Sequence, residues 1–485
     1  MGWRVMSDLF LQVGFSLPDL FLLVMACVLI LADVFVSARY ASTTYYLTQA
    51  TLIGAFLLSL PLLQTGHVAM LVWHDQYVAD QLAGVSKLSI YLFGFFAFAY
   101  AQHAMIGRAA EKQGAYYLLG ILAILGMSIM ASANTFLTIY LGLELLSLSL
   151  YAMIAMQKTS HAAIEAAMKY FVLGSMASAL LLYGISLIFG LTGSIQVEGI
   201  FHAIQNTNNM ALWVGLIFVL VGMLFKFGAF PFHMWVPDTY EGAATPTTLF
   251  VASAPKIATF AALFRILMNA MPNLHVTWVP ILMVLSILSM AFGNLLAIVQ
   301  SNFKRLLAYS SIAHVGYMLL GFIAAPTVPS GGQAAFFYIL TYVLVAVGAF
   351  AMITLMSQQG IACDQIEDYR GFNARHPWLA FIMLILMFSL AGIPPTVGFI
   401  AKLSLLQALI EAGFSWLALA ALFFALIGAY YYLRVVMLMY FEEPGPVVRP
   451  MPQLAWPMML AITLNGGAAL VLGIVPNALL QLCQI

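Results

Sequence analysis

Lys226 lies inside the apolar run LWVGLIFVLVGMLFKFGAFPF, residues 212–232. On insertion scales, lipid penalises an ammonium at such depth by roughly 2.5–3.5 kcal/mol. Lys256 and Lys402 repeat the arrangement, each in an apolar stretch with prolines close by. Holding three such groups costs about 10 kcal/mol, and the chemistry that makes use of them is movement of an ion or a proton. Burial weakens an ammonium's preference for its charged form, and a nearby carboxylate restores it. Moving the two apart would therefore release the proton.

The carboxylate best placed for this is Glu144, about ten residues into NTFLTIYLGLELLSLSLYAMIAM. Tyr140, one turn before it, and Tyr151, two turns after, share its helical face. A structural ion pair and a switch partner for a buried lysine are the two readings. Glu165 and Lys169 stand at i, i+4 with the acid first, a favourable local pair, yet Lys169 is also placed to reach Glu144 on the neighbouring helix. Ser253, Lys256 and Thr259 extend polarity along one face, and Pro231, Pro237, Pro246 and Pro255 break the backbone around them. In lipid, such backbone is tolerated only where protein or a wet cavity satisfies it.

His314, in LLAYSSIAHVGYMLLG, shares a face with Ser310 and Tyr317. A proton relay and a satisfied core histidine both fit it. His233 follows Pro231 and could line the same broken region. Lys87 and Arg265 stand near span ends, where snorkelling explains them. Arg434, in YYYLRVVMLMY, divides between an anchor and a functional group. Cys27, Cys363 and Cys483 lie far apart without ligand or redox spacing, which argues against an iron–sulfur centre in this chain. Haem-ligating histidine pairs, glycine-rich phosphate loops and catalytic triads find no match.

With 485 residues, 64% of them hydrophobic and 7% charged, the chain is excluded from the soluble globular class. It is predicted to be an all-α polytopic membrane protein with about 14 spans, near 18–36, 43–63, 84–103, 114–132, 134–157, 163–190, 211–238, 243–270, 277–300, 303–325, 333–358, 376–413, 415–441 and 454–476. The seventh and twelfth are interrupted, the twelfth by Gly392-Ile393-Pro394-Pro395. The first run lacks a basic start and a cleavage site, so it reads as a retained helix. Arg39, Arg108, Lys112, Lys158, Lys304, Arg305, Arg370, Arg375 and Arg449 all follow odd-numbered spans. The positive-inside rule then puts those connections in the cytoplasm and both termini outside.

From Glu144 it is 82 residues to Lys226 and 30 more to Lys256; from His314 it is 88 to Lys402 and 32 more to Arg434. Five spans separate the two units, so the halves insert upside down, the inverted-repeat plan of many transporters. The expected divisions are an N-terminal three-helix segment (1–113), a first five-helix repeat unit (114–270), a second, inverted unit (277–441) and a C-terminal helix (442–485).

YLGLELLSLSLY around Glu144, FKFGAFPFHMWVPDTYEGAATPTT at and after Lys226, KRLLAYSSIAHVGYMLLG around His314 and LAGIPPTVGFIAK ending at Lys402 are telling stretches. Through them the chain resembles, over essentially its whole length, the antiporter-like subunits of respiratory complex I, the proton-pumping NADH:quinone oxidoreductase. The twelfth span ends in Lys402, as in the bacterial N type, where the M type carries glutamate. The resemblance implies proton transfer through Glu144, Lys169, Lys226, Lys256, His314 and Lys402. His233, Tyr309, Asp238 and Arg434 are secondary positions, with Asp238 and Glu241 near the cytoplasmic end. It implies no cofactor on this chain, with NADH, FMN, iron–sulfur clusters and quinone on other subunits. Its implied partners are M-type and K-type membrane neighbours in a bacterial inner membrane, and no nucleic acid. The competing functions are a cation/proton antiporter subunit, a structural scaffold of the membrane arm, and a solitary secondary transporter.

Overall fold

The computed structural model describes residues 2–35, 42–65, 69–105, 110–205, 209–357, 363–444 and 456–485. Arg39, Arg108 and Arg449, which enter the orientation argument, lie outside the described residues, as does the side chain of Lys112.

In lipid the helix satisfies its own backbone, and helices follow one another along the chain. The first are α1 (Gly2–Phe35), α2 (Ser42–Ser59), α3 (Gln81–Met105), α4 (Ala110–Ala131), α5 (Phe136–Ala155), α6 (His161–Thr192), α7 (Val197–Ile204) and α8 (Met210–Phe227). The first broken region holds α9 (Trp235–Gly242), α10 (Thr245–Val251) and α11 (Pro255–Phe264), which runs into a π-helical turn. Next come α12 (His275–Ile298), α13 (Phe303–Ala324), α14 (Ser330–Met356) and the short α15 (Phe372–Arg375). The last are α16 (Pro377–Ala391), α17 (Val397–Glu411), α18 (Ser415–Phe441), α19 (Trp456–Ile474) and α20 (Asn477–Leu482).

Thirteen described helical stretches are long and apolar enough to cross a membrane. At 15 residues each, α16 and α17 are too short to cross alone, since ~20 residues are needed. Together they make the interrupted twelfth crossing, so the polytopic, all-helical plan holds. Two details differ from the expected spans. α1 is apolar from Gln12, with Pro18 inside it rather than at its start. A hairpin, β1 (Met70–Val72) with β2 (Tyr77–Ala79), follows α2. Its strands are too short to show alternation, and Trp73, His74 and Asp75 all turn through positive φ between them.

Both breaks are built alike. α8 ends at Gly228 (φ 76°), whose N–H bonds the carbonyls of Leu224 and Phe225. α16 ends at Gly392 (φ 84°), bonded to those of Phe388 and Ser389. Only glycine adopts this left-handed stop without strain, and a Cβ at Gly228 would also strike Val236 at 2.4 Å. The helices entering each repeat match too. Thr135 caps α5 and bridges to Gln196, as Asn302 caps α13 and bridges to Gln365. Phe136 N–H bonds the Ile195 carbonyl at 2.9 Å, and Phe303 N–H that of Asp364 at 2.6 Å.

These landmarks correct the pairing read from charge spacing. Counted from the caps, Glu144 falls opposite Ser311, and Ser147 opposite His314. Counted from the glycine stops, Lys226 falls opposite Leu390, not Lys402. The charged residues are not themselves the repeated feature; the caps and breaks around them are.

Shelter is greatest at the centre. All of the most apolar α13 window is buried, and 94% and 89% of those in α10–α11 and α14. The windows of α1 and α19 are only 28% and 22% buried, so their apolar faces meet lipid or a neighbour. Lys87 and Arg265 do not snorkel. The Lys87 side chain is 0% exposed and donates to Asp19 and the Tyr77 hydroxyl, each at 2.6 Å. Arg265 grips Asp80 with two nitrogens at 2.9 Å and also donates to the Ala131 carbonyl. Their partners sit on α1 and on the residue just before α3, far away in sequence, which is why position within a span misread them.

Candidate functional site

The last turn of α8 carries Lys226 to the junction of α5, α6 and α9. Its Nζ donates to Ser147 Oγ and to the Tyr170 hydroxyl, both at 2.9 Å. Tyr170 is held in turn by Trp235, stacked at 4.2 Å, whose indole N–H bonds the Phe225 carbonyl. Glu144 lies one turn before Ser147 and acts on Lys226 through its charge, but the two form no ion pair. Glu144 Oε1 is buried without a hydrogen-bond partner. In this conformation the ammonium rests on hydroxyls, with the carboxylate held apart.

Lys256, one residue into α11, donates to Ser311 Oγ and at 3.4 Å to the Tyr342 hydroxyl, and stands 4.6 Å from the Tyr342 ring centre. No carboxylate pairs with it among the described residues. The Tyr342 ring is 4.9 Å from that of His314. His314 Nδ1 shares a hydrogen bond with the Tyr338 hydroxyl (2.6 Å) and Nε2 one with that of Tyr432 (3.2 Å). Tyr432 also meets Ser310 at 2.5 Å, so Ser310 belongs to this cluster. Tyr317 instead bonds the Ala421 carbonyl, while its ring lies 5.2 Å from Lys402 Nζ.

Lys402 follows its break in sequence, yet its ammonium reaches back across it. Nζ donates to the carbonyls of Leu390 (3.0 Å) and Ala391 (2.8 Å), at the C-terminal end of α16. An ammonium at a helix C-terminus meets both free carbonyls and the negative end of the dipole. Leu390 is the position matching Lys226, so each break has a lysine ammonium nearby, on side-chain hydroxyls in the first half and on helix-end carbonyls in the second. A small cavity of about 10 Å³ joins Lys402 to His314, Tyr338 and Tyr342; that is room for about one water. Thus Lys256, His314 and Lys402 share one polar interior, and Lys226 has its own.

The other candidates fall elsewhere. Lys169 does not reach Glu144; it pairs with Glu165 and Asp238, both at 2.7 Å, and 44% of its side chain is exposed. Asp238 also binds Arg305 (2.9 Å), which bonds Glu241 at 2.7 Å. Burial works against the Asp238 carboxylate, but the hydrogen bonds from Lys169 and Arg305 outweigh it and hold its pKa below the ordinary value. This network ties α9 to α6 and α13. Arg305 Cζ lies 5.9 Å from the ring centre of Tyr309, so Tyr309 stands with this network and outside the buried line. His233 stacks on Phe230 within the first break, its Nδ1 buried and unpartnered. Arg434 caps α12, donating to the Ile298 and Gln300 carbonyls at 2.7 and 2.6 Å, so it anchors.

Sequence reasoning missed Ser147, Tyr170, Ser311, Tyr338, Tyr342 and Tyr432, the hydroxyls that receive the cations. Tyr338 and Tyr342 stand at i, i+4 on α14, a spacing that was visible but carries no charge to draw notice.

Broken helices that bury lysines among hydroxyls define a class of multi-pass ion-translocating membrane subunits. The family model described as NADH:quinone oxidoreductase/Mrp antiporter, TM, matches residues 133–428, and the chain belongs to that family. It is 48% identical over 475 residues to NADH-quinone oxidoreductase subunit N of Coxiella burnetii, covering 97% of this chain and 98% of that one. Subunit N of Thioalkalivibrio sulfidiphilus is 46% identical over 469 residues, covering 96% of each. Among solved structures, a chain of respiratory complex I from Thermus thermophilus superposes with a TM-score of 0.81 at 32% identity, covering 96% of this chain and 98% of that one. A chain of the Mrp complex from a Dietzia species shares the fold (TM-score 0.85) at 21% identity, covering 98% and 96%.

Proposed function

We propose that the chain is the N-type membrane subunit of a proton-translocating NADH:quinone oxidoreductase. The observation that carries this reading is the set of buried ammonium groups at matching breaks, held by hydroxyls and carbonyls, with an imidazole between them. Lys226 is the proton-bearing group of the first half, and separation from Glu144 favours release of its proton. Lys256 and His314 pass protons toward Lys402 through the shared polar interior. Lys169 and Asp238 serve at the cytoplasmic edge, where they hold α9. NADH, FMN, iron–sulfur clusters and quinone act on other subunits, M-type and K-type chains are the membrane neighbours, and quinone reduction there drives the charge changes here. The chain sits in the bacterial inner membrane with both termini periplasmic, a reading supported by the basic residues in the connections after odd-numbered spans.

Lys226→Ala is expected to leave the complex assembled while quinone-reductase turnover and proton pumping fall together. Inverted membrane vesicles given NADH and a pH-sensitive dye report both. Normal activity in the assembled variant would sink the role. Sodium-dependent transport by the chain in a strain lacking the oxidoreductase would favour an antiporter instead.

A further inference from the structure

The short helix α9 belongs to the first half, yet three of its polar ties come from the second. Eight residues are too few for a helix to persist alone, so its place is set by what grips it. Asp238 and Glu241 stand at i, i+3 and share a face. One guanidinium nitrogen of Arg305, at the start of α13, donates to both, at 2.9 and 2.7 Å. Lys304, the residue before it, donates to the Ala243 carbonyl just past the end of α9 (3.1 Å) and pairs with Asp364 (3.0 Å). From the first half Lys169 bonds the other Asp238 oxygen at 2.7 Å. Gly242 lets α9 lie against α6, where a Cβ would meet the Ala162 carbonyl at 2.6 Å. The other end of α9 reaches the Lys226 site. Trp235, its first residue, stacks on Tyr170 at 4.2 Å and donates its indole N–H to the Phe225 carbonyl at 2.9 Å. The Tyr170 hydroxyl is one of the two that receive Lys226 Nζ. Past Arg305, α13 runs on to Ser311, which receives Lys256 Nζ, and to His314.

We propose that Arg305 is a positioning residue for Lys226: by fixing α9 to α13, it fixes Trp235 and so the Tyr170 hydroxyl on the Lys226 ammonium. The inference rests on the translocation reading above. Arg305 donates to neither lysine nor to any hydroxyl that receives one, so it acts only through the helix it holds. With the two carboxylates released, α9 keeps Lys169 and Thr248 but loses its tie to α13. Trp235 is then free to drift, and Tyr170 loses the stacked ring that orients it. Hydrogen bonds weaken steeply with misalignment, and a displacement of about 1 Å far from the chemistry can cost roughly 10²-fold in rate. The helix that grips α9 also carries Ser311 and His314, so the geometry of the first lysine site is set from the second half of the chain.

The test is a double-mutant cycle in the intact complex, pairing Arg305→Ala with Tyr170→Phe. Each single variant is expected to assemble and to lose turnover and pumping several-fold. Arg305→Lys is expected to restore most of the loss, because a single nitrogen serves both carboxylates. Arg370→Ala, which breaks the pairs with Glu367 and Glu442 elsewhere, is expected to change neither quantity. If Arg305 acts through Tyr170, adding Arg305→Ala to Tyr170→Phe lowers the rate no further. Losses that multiply would overturn the proposal and leave Arg305 a general support of the fold, since independent sites add in free energy. Arg305→Lys as impaired as the alanine would also overturn it. Parental turnover in Arg305→Ala beside impaired Lys226→Ala would overturn the positioning role while sparing the translocation reading. Parental turnover in both would overturn the two together. Asp238→Asn removes the carboxylate that Arg305 holds, and the same cycle run with it decides the matter if Arg305→Ala fails to assemble.

Discussion

Lys256→Met is expected to leave the complex as stable as the parent, or more so, while NADH-driven pumping falls at least about tenfold. The two effects have opposite causes. Lys256 is fully enclosed by α11, α13 and α14, and no carboxylate pairs with it among the described residues. Its ammonium is therefore a net burden on folding, and an apolar side chain of similar length removes the desolvation cost. The freed Ser311 and Tyr342 hydroxyls both border the vacated Nζ position. Function changes the other way, because methionine carries no proton. Positioned proton transfer contributes typically about 10²–10⁴-fold, so a tenfold loss is a floor. Thermal inactivation of the purified complex measures the first effect, and dye quenching in vesicles the second. A variant that is both less stable and fully active would show that Lys256 only packs.

Arg265→Ala should do the reverse, harming assembly rather than chemistry. The guanidinium is 1% exposed and makes four hydrogen bonds to Asp80 and Ala131. Removing it leaves a carboxylate and a carbonyl stranded near the end of α4. Breaking one partner of a buried ion pair costs about 3–5 kcal/mol, a large part of the 5–15 kcal/mol typical of a domain. The chain is expected to accumulate poorly, and the surviving complex to inactivate at lower temperature. The pair also sets an acid limit. Burial opposes the Asp80 carboxylate, but Arg265 outweighs it and holds the pKa below the ordinary value. The stabilisation is complete above the unfolded carboxylate value near 4 and is lost only as pH falls through the lowered folded value. Inactivation temperature should therefore be insensitive to this pair from pH 8 to about 5, and Asp80→Asn should remove the further decline below it.

The sequence displays the energetic exceptions clearly and their partners poorly. Lys226, Lys256 and Lys402 stand out because each interrupts an apolar run, and Gly228 and Gly392 mark the stops beside them. Run length marks thirteen of the crossings, and the placement of basic residues in the connections is what favours counting the two short halves of the twelfth as one. What receives the charge is not legible. Ser147, Tyr170 and Ser311 are neutral residues of ordinary membrane composition, brought to the lysines by contacts between distant helices. Lys402 shows the limit best. Its sequence position lies after the break, yet its long side chain delivers the ammonium back to the carbonyl end of α16. Lys87 and Arg265 fail for a related reason: depth along a helix says nothing about what the neighbouring helix offers. Lys169 fails in the opposite sense, since helical spacing brings it near the right helix while Asp238, on a segment beyond the break, captures it.

The most direct test of proton movement through this chain is Glu144→Gln, with turnover and vesicle acidification measured side by side on fully assembled complex. Glutamine keeps the shape of the half-buried side chain but removes the charge that acts on Lys226. The account predicts that both quantities fall together while the subunit content of the purified complex is unchanged. Parental turnover and acidification in that assembled variant would contradict it.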